Sequence, residues 1–183
     1  MINMERLEIE YTLRTFRIIA DNREQASNRA AARFAALGDN LERATLDYGD
    51  YAANITLPDG RELLNTSANT RLYPACVIER KMSLDELAMC FTRSRSRFQR
   101  EFERAKAARA KMYLLIEGGS WEMIRRHEYR SKFSPKSFTA SLTAWMCRYD
   151  ATPLFCNPGT SGALIREVLY RDIKERIERG EFD

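Results

Sequence analysis

The residues best suited to chemistry stand in the segment Val77-Ile78-Glu79-Arg80-Lys81. In an extended strand successive side chains alternate between faces, so Glu79 and Lys81 point one way and Arg80 the other. A carboxylate and an ammonium group then share one small site. Such a pair suits phosphodiester hydrolysis, in which an oxygen-liganded Mg²⁺ polarises the phosphoryl oxygen and lowers the pKa of a bound water. Lysine orients that water or neutralises the developing charge. One carboxylate rarely holds such an ion alone, and Asp50 in Tyr48-Gly49-Asp50-Tyr51 is the candidate second acid.

Other chemistries are poorly supported. His127 is the only histidine of the 183 residues, which removes any site needing two imidazoles. Its charged setting, Met-Ile-Arg-Arg-His-Glu-Tyr-Arg, makes a Ser-His-Asp triad a poor reading and a surface position the expected one. Cys76, Cys90, Cys147 and Cys156 contain no CxxC pair and are expected to be buried free thiols. Apolar residues make up 44% of the chain and charged residues 31%, a globular balance. No segment has the length and apolarity of a membrane span or a secretory signal, so a cytoplasmic location is expected, nucleoid-associated or in the cytoplasm of a host if the source is viral. The net charge of +4 says little until its distribution is known.

The elements that must position these residues can be read from periodicity and punctuation. Thr15 to Ala20 is a short apolar strand, and Ala26 to Leu37 an alanine-rich helix stopped by Gly38. Tyr51 to Leu57 and Arg61 to Asn65 flank Pro58-Asp59-Gly60, a hairpin signal. The strand Ala75 to Lys81 enters apolar and leaves charged, the kind of strand end where sites gather. Ser83 and Glu86 form a capping box before a helix burying Leu84, Leu87, Ala88 and Phe91, and a second helix repeats Phe98, Phe102 and Ala105. Lys111 to Glu117 is a buried strand ended by Gly118-Gly119, with a short helix from Ser120. A helix capped by Ser134-Pro135 is expected to bury Phe138, Leu142, Trp145, Met146 and Tyr149. Pro153 to Cys156 is a last strand before a helix carrying Leu164, Val168, Leu169, Ile173 and Ile177. Strands interleaved with helices predict an α/β fold with a central mixed sheet flanked by helices. Length and the lack of linkers predict a single domain over residues 1–183.

With its neighbours the site becomes specific. Asp21-Asn22-Arg23-Glu24 after the first strand, then Gly49-Asp50, then Glu79-Arg80-Lys81 with Asp85 four residues on, resembles the GD...ERKxxxD signature of XPF-type structure-specific endonucleases. The resemblance covers roughly residues 16 to 118 and implies a restriction-endonuclease-like (PD-(D/E)xK-type) nuclease core. It implies that Asp50 and Glu79 are metal ligands, with Asp21 or Glu24 completing the acidic cluster. Arg80 and Lys81 would engage the scissile phosphate and nucleophile, and Asp85 would buttress the site. The implied cofactor is Mg²⁺ or Mn²⁺, and the implied partner is branched or junction DNA. Association through this domain is also a family habit, so a homodimer is expected, with the C-terminal helices as interface. Two departures stand out. A whole hairpin separates Asp50 from Glu79, and a C-terminal tandem helix-hairpin-helix module, with which family members hold DNA, is not expected within residues 1–183. Each acid also has a plain structural use: Asp21 at a helix entry, Asp50 in a turn, Asp85 in a first helical turn.

The run Arg93, Arg95, Arg97, Arg100 and Arg104 directly follows the proposed site, and Arg97-Phe98 matches the family's RF pair. Phosphate contact is the expected role of these arginines and of Arg23. Glu101 stands where many relatives carry glutamine and is left outside the site. The leading expectation is a DNA endonuclease selective for flaps, forks or four-way junctions. A catalytically idle DNA-binding scaffold and a sequence-specific restriction-type enzyme are the alternatives.

Overall fold

In the computed structural model, residues 6–24 and 27–182 are described. The elements are α1 (Arg6–Arg14), β1 (Arg17–Asp21), α2 (Asn28–Leu37), β2 (Leu41–Ala44), β3 (Tyr51–Asn54), β4 (Leu64–Asn65), β5 (Thr70–Arg71) and β6 (Cys76–Lys81). They continue with α3 (Leu84–Phe91), α4 (Arg95–Ala107), β7 (Lys111–Glu117), α5 (Trp121–Arg126), α6 (Pro135–Tyr149), β8 (Thr152–Cys156) and α7 (Ser161–Glu178).

Six strands form one mixed sheet in the order β2-β1-β3-β6-β7-β8. β6, β7 and β8 run parallel, because helices return the chain between them, whereas β3 is antiparallel to both β1 and β6. One face packs on α3, α4, α5 and α6 through Val77, Leu114, Leu87, Phe98, Phe138 and Trp145. The other carries Ile18, Tyr51, Ile78 and Leu115 against Ile165, Leu169, Ile173 and Ile177 of α7. Burying each such large side chain is worth about 1.5–3 kcal/mol relative to leaving it exposed. The inner stripe of α7 is therefore satisfied within the chain, while Leu164 and Val168 of the same helix are only partly buried.

Several expectations are corrected. β2 is an edge strand whose polar Leu-Glu-Arg-Ala sequence carries no alternating signal, and it pairs in parallel with β1. The Pro58-Asp59-Gly60 turn forms, with Leu57 N–H donating to Arg61 O at 2.7 Å. The hairpin ladder is short, an antiparallel bridge between Thr56 and Glu62, because β3 already has β1 and β6 on its two edges and ends at Asn54. The Asn54 side chain takes up the Leu64 backbone, donating to its carbonyl at 2.8 Å and accepting from its N–H at 2.9 Å. Ser27 caps α2 by accepting from Ala30 N–H at 3.0 Å, and the expected start at Ala26 lies outside the described residues. Met146 is 37% exposed, since it falls beside the apolar stripe of α6 and not on it. All four cysteines are free, but only Cys76 is buried; Cys147 is exposed. His127 is exposed and ends α5 in a left-handed conformation. No helix among the described residues is long and apolar enough to cross a membrane.

Candidate active site

The charged end of β6 opens into a cleft of about 530 Å³. Glu79 and Lys81 lie on the α3/α4 face of the sheet, while Arg80 turns to the α2/α7 face, as strand alternation requires. Asp50 reaches the same cleft from the start of β3. Gly49 makes this possible: its φ is +74°, and a Cβ there would meet Val77 Cβ at 3.0 Å. The chain thus presses against β6, where Asp50 N–H donates to Ile78 O at 2.8 Å and Asp50 O accepts from Asp21 N–H at 2.8 Å. The Arg80 N–H then donates to Asp50 Oδ2 at 2.7 Å, fixing the carboxylate beside the Glu-Arg-Lys segment.

Glu79 is 3% exposed and Lys81 7%, and the Lys81 ammonium donates to Glu79 Oε1 and to Arg80 O at 3.2 Å. It also lies 5.1 Å from the centre of the Phe98 ring, a cation–π contact. Burial works against the lysine's charge, but the Glu79 and Asp50 carboxylates outweigh it and raise its pKa above the ordinary value. Burial, and then the neighbouring Glu79, push Asp50 up to about 7. Burial likewise pushes Glu79 up to about 7, with Glu101 adding to the rise and Lys81 opposing it.

Two carboxylates therefore face a shortage of positive charge, and Glu79 Oε2 is buried without a hydrogen-bond partner. That combination fits a hard divalent cation. Among the described residues no three acidic, histidine or cysteine side chains converge as a ready-made cage. Two carboxylates with water and phosphate oxygens are, however, a usual ligand set for Mg²⁺.

The other expected ligands are engaged elsewhere. Asp21 accepts from Arg23 N–H at 2.7 Å, from the Arg23 guanidinium at 2.7 and 2.8 Å and from Leu46 N–H at 2.9 Å. Burial alone would raise its pKa, but these bonds lower it below the ordinary value. Asp21 holds the β1–α2 turn and lies outside the cleft lining. Replacing it with alanine is expected to cost about 2 kcal/mol or more, because two backbone donors and a guanidinium lose their acceptor. Manganese affinity, followed by electron paramagnetic resonance, should not move; a lost ion together with an unchanged melting temperature would return Asp21 to the metal. Glu24 lines the cleft but is bonded to Arg33 and Arg80 at 2.7 and 3.0 Å. Asp85 faces away, accepting from Arg130 N–H at 2.9 Å and Ser131 N–H at 2.7 Å, and so anchors the loop after α5.

The arginines divide in the same way. Arg23, Arg97, Arg100 and Arg104 line the cleft, with Arg104 donating to Asp47 O at 2.9 Å. Arg95 instead stacks 4.9 Å from the Trp145 ring centre, and Arg93 borders a separate cavity with Asp85 and Lys132. Phe98 and Phe102 are core, as their helical spacing predicts. Glu101, left outside the site on sequence, lines the cleft and accepts from Gly49 N–H at 3.1 Å. Its place three residues after Phe98, on the turn facing Gly49-Asp50, was the available signal.

The raised carboxylates make a pH prediction for metal-free protein. A folded carboxyl near 7 with an unfolded value near 4 binds more protons folded than unfolded, so stability from this pair falls as pH rises from about 4 to about 7. Asp50→Asn, which removes one raised carboxyl but leaves Lys81 its Glu79 partner, is expected to gain stability relative to wild type as pH rises towards ~8. In chelator, the gap should close towards pH ~5. Thermal melts showing a gap that widens on acidification would contradict these shifts.

A mixed sheet of this order, with an acidic and basic strand end opening between its helices, defines the restriction-endonuclease-like fold. The ERCC4 domain family model matches residues 20–163, and the chain belongs to that family. Among solved structures, XPF from Aeropyrum pernix superposes with a TM-score of 0.59 at 17% identity, covering 91% of this chain and 69% of that one. XPF from Aeropyrum pernix in complex with DNA gives 0.58 at 19% identity, covering 87% of this chain and 65% of that one. Comparison with curated protein sequences finds no match.

Proposed function

We propose that the chain is a divalent-cation-dependent DNA endonuclease selective for branched or junction DNA. The observation that carries this reading is the buried, unpartnered Glu79 Oε2 beside Asp50 and Lys81, under a rim of Arg23, Arg97, Arg100 and Arg104. Asp50 and Glu79 would hold Mg²⁺ or Mn²⁺, which supplies Lewis acidity and an activated water when bound. The rim arginines seat the phosphates. Lys81, kept protonated by Glu79 and Asp50, presents a donor to the charge that develops at the reacting phosphate. Buried charges cost stability, so an idle DNA-binding scaffold has no physical reason to keep this pair.

A panel of labelled DNAs tests the reading: 3′ flap, fork, four-way junction and plain duplex, with Mg²⁺, with Mn²⁺ or with chelator. Cutting of branched substrates near the junction, only with metal, is expected. Binding without cleavage would select the idle scaffold, and cleavage of plain duplex at one fixed sequence would select a restriction-type enzyme. A homodimer would bring a second basic surface to the DNA, with the C-terminal helices as its interface. Light scattering at micromolar concentration is expected to read twice the chain mass, and a single-chain mass would remove the dimer from the proposal.

A further inference from the structure

Beside the cleft, which Glu24 and Arg80 also line, four charges close into a ring whose other two members, Arg33 and Glu117, are buried. Arg33 donates to Glu24 at 2.7 Å, and Glu24 accepts from Arg80 at 3.0 Å. Arg80 meets Glu117 at 3.4 Å, and Glu117 returns to Arg33 at 3.0 Å. Glu117 is fully buried, and so, nearly, is the Arg33 side chain. Arg33 Nε also donates to the Tyr51 hydroxyl at 2.8 Å. Burial of that tyrosine and the nearby Glu24 raise its pKa, so the hydroxyl stays neutral and able to accept.

The partners are what matters. Tyr51 is the residue next to Asp50, and Arg80 stands between Glu79 and Lys81. The Arg33 guanidinium, projecting from α2, thus bonds the neighbour of Asp50 directly and reaches Arg80, the neighbour of Glu79 and Lys81, through Glu24 and Glu117. The same Arg80 supplies the N–H that holds Asp50 Oδ2. We infer that Arg33 is the positioning residue of this site, setting β3 and β6 in the mutual register that brings Asp50, Glu79 and Lys81 into one cleft. Arginine is needed because its planar fork serves two carboxylates and a hydroxyl at once, which a lysine's point charge cannot do. A guanidinium buried only for stability has no such requirement, since a neutral, well-packed replacement of the whole pair serves as well. The inference rests on the nuclease reading for its kinetic test alone.

Three variants separate position from stability: Arg33→Met, Arg33→Lys and the double Arg33→Met/Glu117→Met. The double variant removes one cation and one anion together and leaves Glu24 paired with Arg80, so its melting temperature should recover most of what Arg33→Met loses. Its kcat on a fork DNA should nevertheless stay down by about tenfold or more, with KM unchanged, because small displacements of reacting groups are costly. The Arg80 amide should exchange with solvent about tenfold faster than in wild type, since local opening frees its bond to Asp50. Arg33→Lys, which keeps the charge and the fold, should fall between these limits in kcat. A double variant with wild-type kcat and wild-type protection at Arg80 would reduce Arg33 to a stabilising residue and overturn the inference. Should the double variant not fold, Arg33→Lys with wild-type kcat and Arg80 protection would do the same. A wild-type protein that cuts no DNA would defeat the nuclease reading instead, and Arg80 exchange alone would then decide for or against Arg33.

Discussion

Asp50→Asn or Glu79→Gln is expected to lower metal-dependent cleavage by on the order of 10³ while leaving the fold and DNA binding intact, a loss comparable to removing a principal electrostatic element of an active site. Each substitution takes away a hard anionic oxygen but almost no volume. Asparagine can still accept the Arg80 N–H through its side-chain oxygen, so the bond that fixes this corner at 2.7 Å survives. Glutamine at position 79 leaves the Lys81 ammonium without its buried counter-charge. Single-turnover cleavage with Mg²⁺, beside fluorescence anisotropy with Ca²⁺, reads the two effects separately. Wild-type cutting rates in both variants would move the site elsewhere.

The second large effect separates catalysis from binding. Lys81→Ala is expected to reduce the rate at saturating DNA by on the order of 10² or more, as for deletion of one preorganised donor. Affinity should barely change, because Lys81 is buried and contributes little to the charged surface. Arg97→Ala/Arg100→Ala is expected to do the reverse, since both side chains are exposed along the cleft rim. Losing two phosphate contacts should weaken binding to all DNAs alike and flatten the salt slope by about 0.9 per contact. Normal maximal rates with poor binding in Lys81→Ala, or lost turnover with unchanged binding in the arginine pair, would invert this division of labour.

What the sequence made legible followed from strong local signals. The alternation in Val-Ile-Glu-Arg-Lys put Glu79 and Lys81 on one face, and the apolar run Lys111 to Glu117 marked the strand beside it. Asp50 was legible through Gly49, whose missing Cβ lets the chain approach β6. The polar edge strand β2 was not legible, because an edge strand need not alternate. The truncated hairpin was missed for another reason: a side-chain amide, Asn54, takes over from the ladder, and no periodicity encodes that. Asp21 and Asp85 stood at the right intervals, and both accept from distant backbone N–H groups, Asp21 from Leu46 and Asp85 from Ser131, contacts that spacing alone does not encode. Arg33 left a trace that could have been followed. It lies on the Ala30 and Leu37 face of an alanine-rich helix, and a charge in an apolar stripe demands a buried partner. The partner, Glu117, is far away in sequence, so only the tertiary fold could supply it.

The central claim is that Asp50 and Glu79 together hold the ion that drives the reaction. An anomalous-difference map from crystals equilibrated with Mn²⁺ tests it without reference to any substrate. The account predicts a peak in the cleft within direct coordination distance, roughly 2.0–2.2 Å, of carboxylate oxygens from both residues, on the scale of other small hard cations. A peak on Asp21 or Asp85, or an Asp50/Glu79 cleft that stays empty in crystals of a protein that cuts DNA with Mn²⁺, would contradict it.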